Sequence, residues 1–192
     1  MTILIIIVLL VILVAGWVMS TQRRLVVMDE NINNAMSQIG VQLSSRFDAL
    51  TALLDLAKGY AAHESETLGA VTDARARAAS ISLSAGELTP AKLAEFQEAQ
   101  AGVRSALGRL IAVAESYPDL KANQNFLELQ AQIEGTENRI AVARKEFNDA
   151  ARHYNVAVRR FPANLVAGLF GFAQKPYFES AEGTDAAPEV KF

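Results

Sequence analysis

Residues 29–78 read DENINNAMSQIGVQLSSRFDALTALLDLAKGYAAHESETLGAVTDARARA. Ile32, Met36, Ile39, Leu43, Phe47, Leu50, Leu54, Ala57 and Tyr60, then Leu68 and Val71, recur at steps of three and four. The average lies near the ~3.5-residue repeat of a coiled-coil seam, and polar residues fill the other faces. The spacing predicts one long helix, or two in line, of roughly 75 Å at the helical rise, with an apolar stripe that needs partners. Gly40 and Gly59 each cost a helix up to ~1 kcal/mol relative to Ala. The apolar register continues across both, so both are interior positions, with Gly59 the more natural kink.

Upstream, MTILIIIVLLVILVAGWVMS carries no charged side chain before Arg23 and Arg24. A hydrocarbon core about 30 Å thick needs about 20 such residues as a helix, and Trp17 stands near the end of the run, where an indole prefers the interface. Residues 1–22 are therefore expected to be an anchor in the lipid bilayer. A cleaved signal peptide fits less well, because no basic segment precedes the run and no A-x-A site ends it. Arg23 and Arg24 are the only nearby side-chain positives, which favours an outside N-terminus and a cytoplasmic bundle. No Pro or Gly lies between Trp17 and Gly40, so the membrane helix either runs straight into the rod or hinges at Ser20-Thr21-Gln22.

Beyond the rod, residues 79–90 read as a connection, with Thr89 capping a second helix that opens on Pro90. That helix runs to about Ser116 on a seam of Leu93, Phe96, Gln100, Val103, Leu107, Leu110 and Ala114. Residues 116–122 form a turn marked by Pro118. Asn125 with Glu128 has capping-box spacing and opens a third helix to about Arg160. Its seam is Phe126, Leu129, Ile133, Glu137 or Thr136, Ile140, Ala143, Phe147, Ala150, Tyr154 and Ala157 or Val158. Three seams joined by short connections predict an all-α chain: a transmembrane helix continuing into an antiparallel three- to four-helix coiled-coil-like bundle over residues 23–178. Because the first helix is longest, its seam between about Val26 and Leu43 is expected to lack cover and to serve self-association or a partner helix.

Pro162 breaks the third helix. A short helix over 163–170 and an irregular segment packed on the bundle follow, because five aromatics in 161–178 argue against a disordered tail. This part is either a docked C-terminal clamp or a membrane- or partner-binding aromatic tip. Residues 179–192 are acidic and flexible in composition.

Composition limits the chemistry. The 192 residues contain no cysteine, two histidines and a formal net charge of −3. Disulfides and thiolate chemistry are excluded, and the mixed charge gives no footprint for nucleic acid. His63 lies in HisGluSerGluThr, which fails HExxH spacing at Thr67; His153 has no second histidine one turn on. Gly168 and Gly171 do not form a phosphate loop. Glu134, Glu137 and Arg139 are either surface ion pairs or a buried polar layer that fixes register. For such a layer, Glu137→Leu is expected to raise stability and alter oligomer size. No catalytic, cofactor-binding or metal residue is assigned, and no cofactor is expected.

Several runs, in order, resemble one family: AsnAlaMetSerGlnIle (34–39), LysGlyTyrAlaAlaHisGlu (58–64), SerTyrProAspLeuLysAlaAsnGlnAsnPheLeu (116–127), GlyThrGluAsnArgIleAlaValAlaArg (135–144), PheAsnAspAla (147–150) and PheProAlaAsnLeuValAlaGlyLeuPheGlyPhe (161–172). The chain resembles the LemA family over nearly everything beyond the anchor. Met36 stands where that family often has Trp, and Thr51 where Pro is common. The resemblance implies a bacterial inner-membrane protein with one N-terminal span and a long helical bundle. It implies no activity and carries over no site residues. The expected function is a non-enzymatic scaffold or adaptor that self-associates. The alternative is a membrane-remodelling or assembly factor forming ordered oligomers on the bilayer. An enzyme would need a pocket with perturbed carboxylates or a histidine.

Overall fold

Helix α1 runs from Thr2 to Tyr60 without a break. The computed structural model describes residues 1–81 and 88–178; the connecting stretch around 82–87 and the acidic tail 179–192 lie outside the described residues. The side chains from Ile3 to Val14 are each at least half exposed, and the apolar window they belong to has no cover from the rest of the protein. The helix crosses Ser20-Thr21-Gln22 and the residue 22/23 boundary intact, so the hinge alternative is not the one adopted. It also crosses Thr51, whose hydroxyl donates to the Phe47 carbonyl at 2.8 Å. From Leu25 onward the expected seam is buried at Ile32, Met36, Ile39, Leu43, Leu50, Leu54 and Ala57.

The rod does not continue in line past Gly59. Helix α1 ends at Tyr60, a short turn over residues 61–64 follows, and α2 (Ser65–Ser80) folds back beside α1. The Arg75 Nε donates to the Phe47 carbonyl at 3.3 Å, which only an antiparallel α2 can reach. Reversal lets Leu68, Val71 and Ala78 enter the core formed by α1 and the remaining helices, whereas an in-line helix would leave them in water.

Helix α3 (Pro90–Ala114) is capped by Thr89, whose hydroxyl accepts from the Lys92 backbone N–H at 3.2 Å. Helix α4 is one turn at Pro118–Lys121. Helix α5 spans Gln124–Arg159. Its cap is Asn123 rather than Asn125: the Asn123 Oδ1 accepts from the backbone N–H of Asn125 at 2.9 Å and of Phe126 at 3.3 Å, so no capping box is needed. Helix α6 (Ala163–Phe170) occupies the stretch expected for it.

The four long helices thus run up, down, up and down. Helix α5 packs mainly on α1, and α2 on α3. At the tip the two turns meet, with Asn123 Nδ2 donating to Tyr60 Oη at 3.0 Å and Tyr117 Oη donating to Glu64 at 3.1 Å. Donation to the Glu64 carboxylate raises the Tyr117 phenol above its usual range.

The expectation of an uncovered seam from Val26 to Leu43 is corrected. Ile32 and Ile39 are at most 1% exposed, because the second half of α5, α6 and the segment to Phe178 pack around them. Helix α5 is long enough to follow α1 back to the point where the apolar run ends.

Candidate functional site

Two regions gather chemistry-bearing side chains: a polar layer at mid-bundle and a collar where α1 leaves the apolar run. The polar layer separates two apolar cores. One core contains Leu43, Phe96 and Ile140, the other Ala49, Val103 and Ile133. Between them, from one helix each, come Arg46, Gln100 and Thr136, all at most 2% exposed. The Arg46 Nη1 donates to Gln100 Oε1 at 3.2 Å and its Nη2 pairs with Glu137 at 2.8 Å. Glu137 also pairs with Arg104 at 3.3 Å, and the Thr136 hydroxyl turns back to the Ile133 carbonyl. Burial lowers the Arg46 pKa, Glu137 opposes that shift, and Arg104 adds to it.

The cluster of Glu134, Glu137 and Arg139 therefore divides. Glu137 turns inward to Arg46; Arg139 donates to Gln42 of α1 at 3.0 Å; Glu134 accepts from Gln130 on its own helix at 3.1 Å. The sequence did not single out Arg46. Its signal was position alone, three residues after Leu43 and four before Leu50. About two turns along α5 from Glu137, the Arg144 guanidinium lies 5.7 Å from the Phe96 ring centre and 5.4 Å from that of Phe178. Burial, with Arg104 beside it, lowers its pKa.

The collar is built by the segment after α6. Gly171, at φ 76°, ends α6 in the left-handed region that favours glycine. The chain then climbs beside α5, away from the anchor. Two asparagine amides hold it. Asn155 donates to the Lys175 carbonyl and accepts from its N–H, both at 2.8 Å. Asn148 donates to the Phe178 carbonyl at 2.9 Å and accepts from its N–H at 2.8 Å. Each amide thus copies a strand partner's donor and acceptor. Phe178 meets Phe147 and Phe96 edge-on, with ring centres 5.1 and 6.1 Å apart. The Lys175 ammonium pairs with Asp29 at 2.9 Å, tying the segment to α1. Burial, with Asp29 nearby, pushes the Tyr154 phenol up to about 12. The docked clamp is therefore residues 172–178. Just before it, Phe161, Leu165, Leu169 and Phe170 stay exposed.

Helices α2 and α3 leave a solvent-open cleft of about 660 Å³ lined by small residues such as Ala70, Ala74, Ala99 and Gly102 and by the charged Asp73, Arg77, Glu95, Glu98 and Arg109. His63, in the α1–α2 turn, and His153, on α5, are both exposed and lie at opposite ends of the bundle. Among the described residues, no three His, Cys, Asp or Glu side chains gather closely enough to hold a metal ion.

Comparison with known proteins gives these elements a context. The LemA family model matches residues 35–192. The chain is similar to Protein LemA of Metamycoplasma hominis, 28% identical over 155 residues, covering 80% of this chain and 67% of that one. It is also similar to the magnetosome proteins MamQ of Magnetospirillum gryphiswaldense (36% identical over 87 residues) and MamQ 2 of Paramagnetospirillum magneticum (34% over 87). Those matches cover 45% of this chain and 32% of each relative, so the chain spans about a third of the length of the magnetosome relatives. With one helix long and apolar enough to cross a bilayer and an all-helical bundle among the described residues, and a family match over most of its length, the chain belongs to the LemA family and is a membrane protein.

Proposed function

We propose that the protein is a non-enzymatic, single-span scaffold or adaptor of the bacterial inner membrane, and that it associates with copies of itself or with partner helices. The observation that carries this reading is the unbroken α1. Anchor and bundle share one helix of 59 residues, roughly 88 Å at the helical rise, so the bundle is held at a fixed attitude to the bilayer. The charged groups that reach the interior support it too, since Arg46 is met by the Glu137 carboxylate and the Gln100 amide oxygen. The inner seam of residues 26–43 is filled, so association falls to the outer face of the same stretch. There Val41 is 60% exposed, and Val142 of α5, 58% exposed, lines a shallow groove with Gln38, Gln42 and Arg139.

This reading puts the bundle in the cytoplasm. Arg23 and Arg24 follow the apolar run, and the antiparallel register brings Arg159 and Arg160 to within about a turn of the same level, a grouping that favours the cytoplasmic leaflet. The test is cross-linking of the full-length Val41→Cys protein in native membranes, the only cysteine in an otherwise cysteine-free chain. Dimeric or higher adducts are the expected result. A strict monomer by cross-linking and by mass in nanodiscs would contradict self-association.

The likeness to magnetosome proteins favours a second reading, an assembly factor that orders the bilayer through oligomers. Electron microscopy of the protein in liposomes separates the two: coats or altered curvature support the second reading, smooth unperturbed vesicles the first.

A further inference from the structure

We propose that α6 is a second membrane contact, an interfacial foot whose outer face enters the leaflet from which α1 emerges. The occupant of this face is the lipid bilayer itself.

The argument begins with position. Arg139 bonds Gln42, Arg46 pairs with Glu137, and Lys175 joins Asp29 to Asn155. These contacts fix an antiparallel register in which the end of α5 stands opposite Arg23 and Arg24. The clamp gives the same level independently. From Lys175 to Phe178 it climbs about 10 Å at the extended-chain rise, matching the roughly 10 Å from Asn155 to Asn148 along α5. Extended back to Phe172, the same slope returns to the end of α5. Helix α6 therefore lies across the foot of the bundle, where it packs on both α1 and α5. Partial cover on α1 at Val18, Thr21 and Gln22, one turn apart and in line with buried Leu25, reaches into the end of the apolar run.

The second part is chemistry. Among the described residues outside the anchor, the three most exposed large apolar side chains are Leu169 at 76%, Phe161 at 74% and Leu165 at 63%, and Phe170 beside them is 50% exposed. Val166 and Ala167 face the bundle, so the helix is apolar on both sides, and residues 161–172 carry no charge. A helix held against protein on one side and apolar on the other matches an acyl-chain boundary better than water. Arg23, Arg24, Arg159 and Arg160 stand at the height where phosphodiester headgroups lie and can lay their stems along apolar surface while the guanidinium stays polar. The Gly171 cap and the two asparagine clamps hold α6 at this height. A second copy of the chain suits the patch less well. It offers on the order of a few hundred Å², short of the ~800 Å² per partner of a stable interface, whereas lipid is already in place because α1 passes through it.

This inference rests on the reading of α1 as a span. The test keeps the two apart by using the full-length protein, free of native cysteine, with single cysteines at Leu169→Cys, Leu165→Cys, Val142→Cys and Val11→Cys. Each carries an environment-sensitive fluorophore, in parallel vesicles of phosphatidylcholine and phosphatidylglycerol with nitroxide either near the top of the acyl chain, to reach 165 and 169, or near its end, to reach 11, which lies roughly 18 Å along α1 from Arg23. All four positions are exposed, so folding is preserved. The expected result is strong quenching at 165, 169 and 11 and none at 142. If the labels at 165 and 169 behave like that at 142 while 11 is quenched, the foot is refuted and the span stands. Labels at 165 and 169 shielded from an aqueous quencher yet untouched by the lipid nitroxide point to a protein cover and also refute it. Absence of quenching at 11 overturns the span and the foot together.

Discussion

A guanidinium between Leu43 and Leu50 on a coiled-coil seam is a destabilising choice unless its charge is met, and two residues of other helices meet it, Gln100 and Glu137. Gln100 is carried on α3, and Glu137 and Thr136 on α5, so the layer forms only in one register of α1, α3 and α5. Arg46 keeps an unbonded buried Nε and Gln100 an unbonded buried Nε2, which marks the layer as a device for specificity more than for stability. The earlier expectation for Glu137→Leu accordingly reverses in sign. Removing the carboxylate leaves Arg46 without its counter-charge, and we expect a loss of about 1–3 kcal/mol, reduced from the cost of a fully buried pair because Glu137 is partly exposed. The double change Arg46→Met with Glu137→Leu is expected to recover most of that loss. Urea denaturation of both variants checks this; equal stability of wild type and Glu137→Leu would refute the pairing. Tyr154 supplies a pH signature at the same scale. Its phenol is raised from the usual 10.0 to about 12 by burial, with Asp29 adding to it, so the folded state holds that proton more tightly than the unfolded state. The corresponding stability is complete below about pH 10 and declines as pH rises towards 12. Ultraviolet titration of the phenolates is expected to show a late-ionising group that Tyr154→Phe removes.

Among the elements, helices were legible, as was the antiparallel course of α3 and α5; the direction of α2 was not. The seams of α1, α3 and α5 could be read because burial of one face imposes its period on the sequence. The reversal into α2 could not. Residues 61–64 contain neither Pro nor Gly, and Leu68 and Val71 keep the same period whether α2 runs on or folds back. Periodicity states which face is covered, not by which neighbour. Arg46 was missed for a related reason: an arginine on a seam reads as solvated until its partners on other helices are known. Helix α6 was legible because Pro162 and Gly171 bracket it chemically, one ending α5 and the other taking a left-handed cap. The clamp after it depends on two amides that no local pattern marks. Asn155→Ala removes three side-chain hydrogen bonds, to the Lys175 backbone and to Tyr177. We expect faster hydrogen exchange over residues 172–178, with local opening easier by about 2–3 kcal/mol, while α5 stays protected. Unchanged exchange there would remove the clamp from the account.

At the scale of the molecule, the central claim is mechanical: bundle and anchor are one body because α1 passes from bilayer to tip without a joint. Its consequences all depend on that continuity. The polar layer fixes the register of the helices on α1, the clamp fixes the foot of α5 to Asp29, and α6 is brought to the membrane surface. The most direct measurement is the distance between spin labels at Met19→Cys and Gly59→Cys in the full-length protein reconstituted in nanodiscs, by pulsed electron–electron double resonance. Helix α1 predicts a single narrow distribution centred at roughly 60 Å between the two backbone positions. A broad distribution, or one shifted well below that distance, would place a joint in α1 and contradict the account.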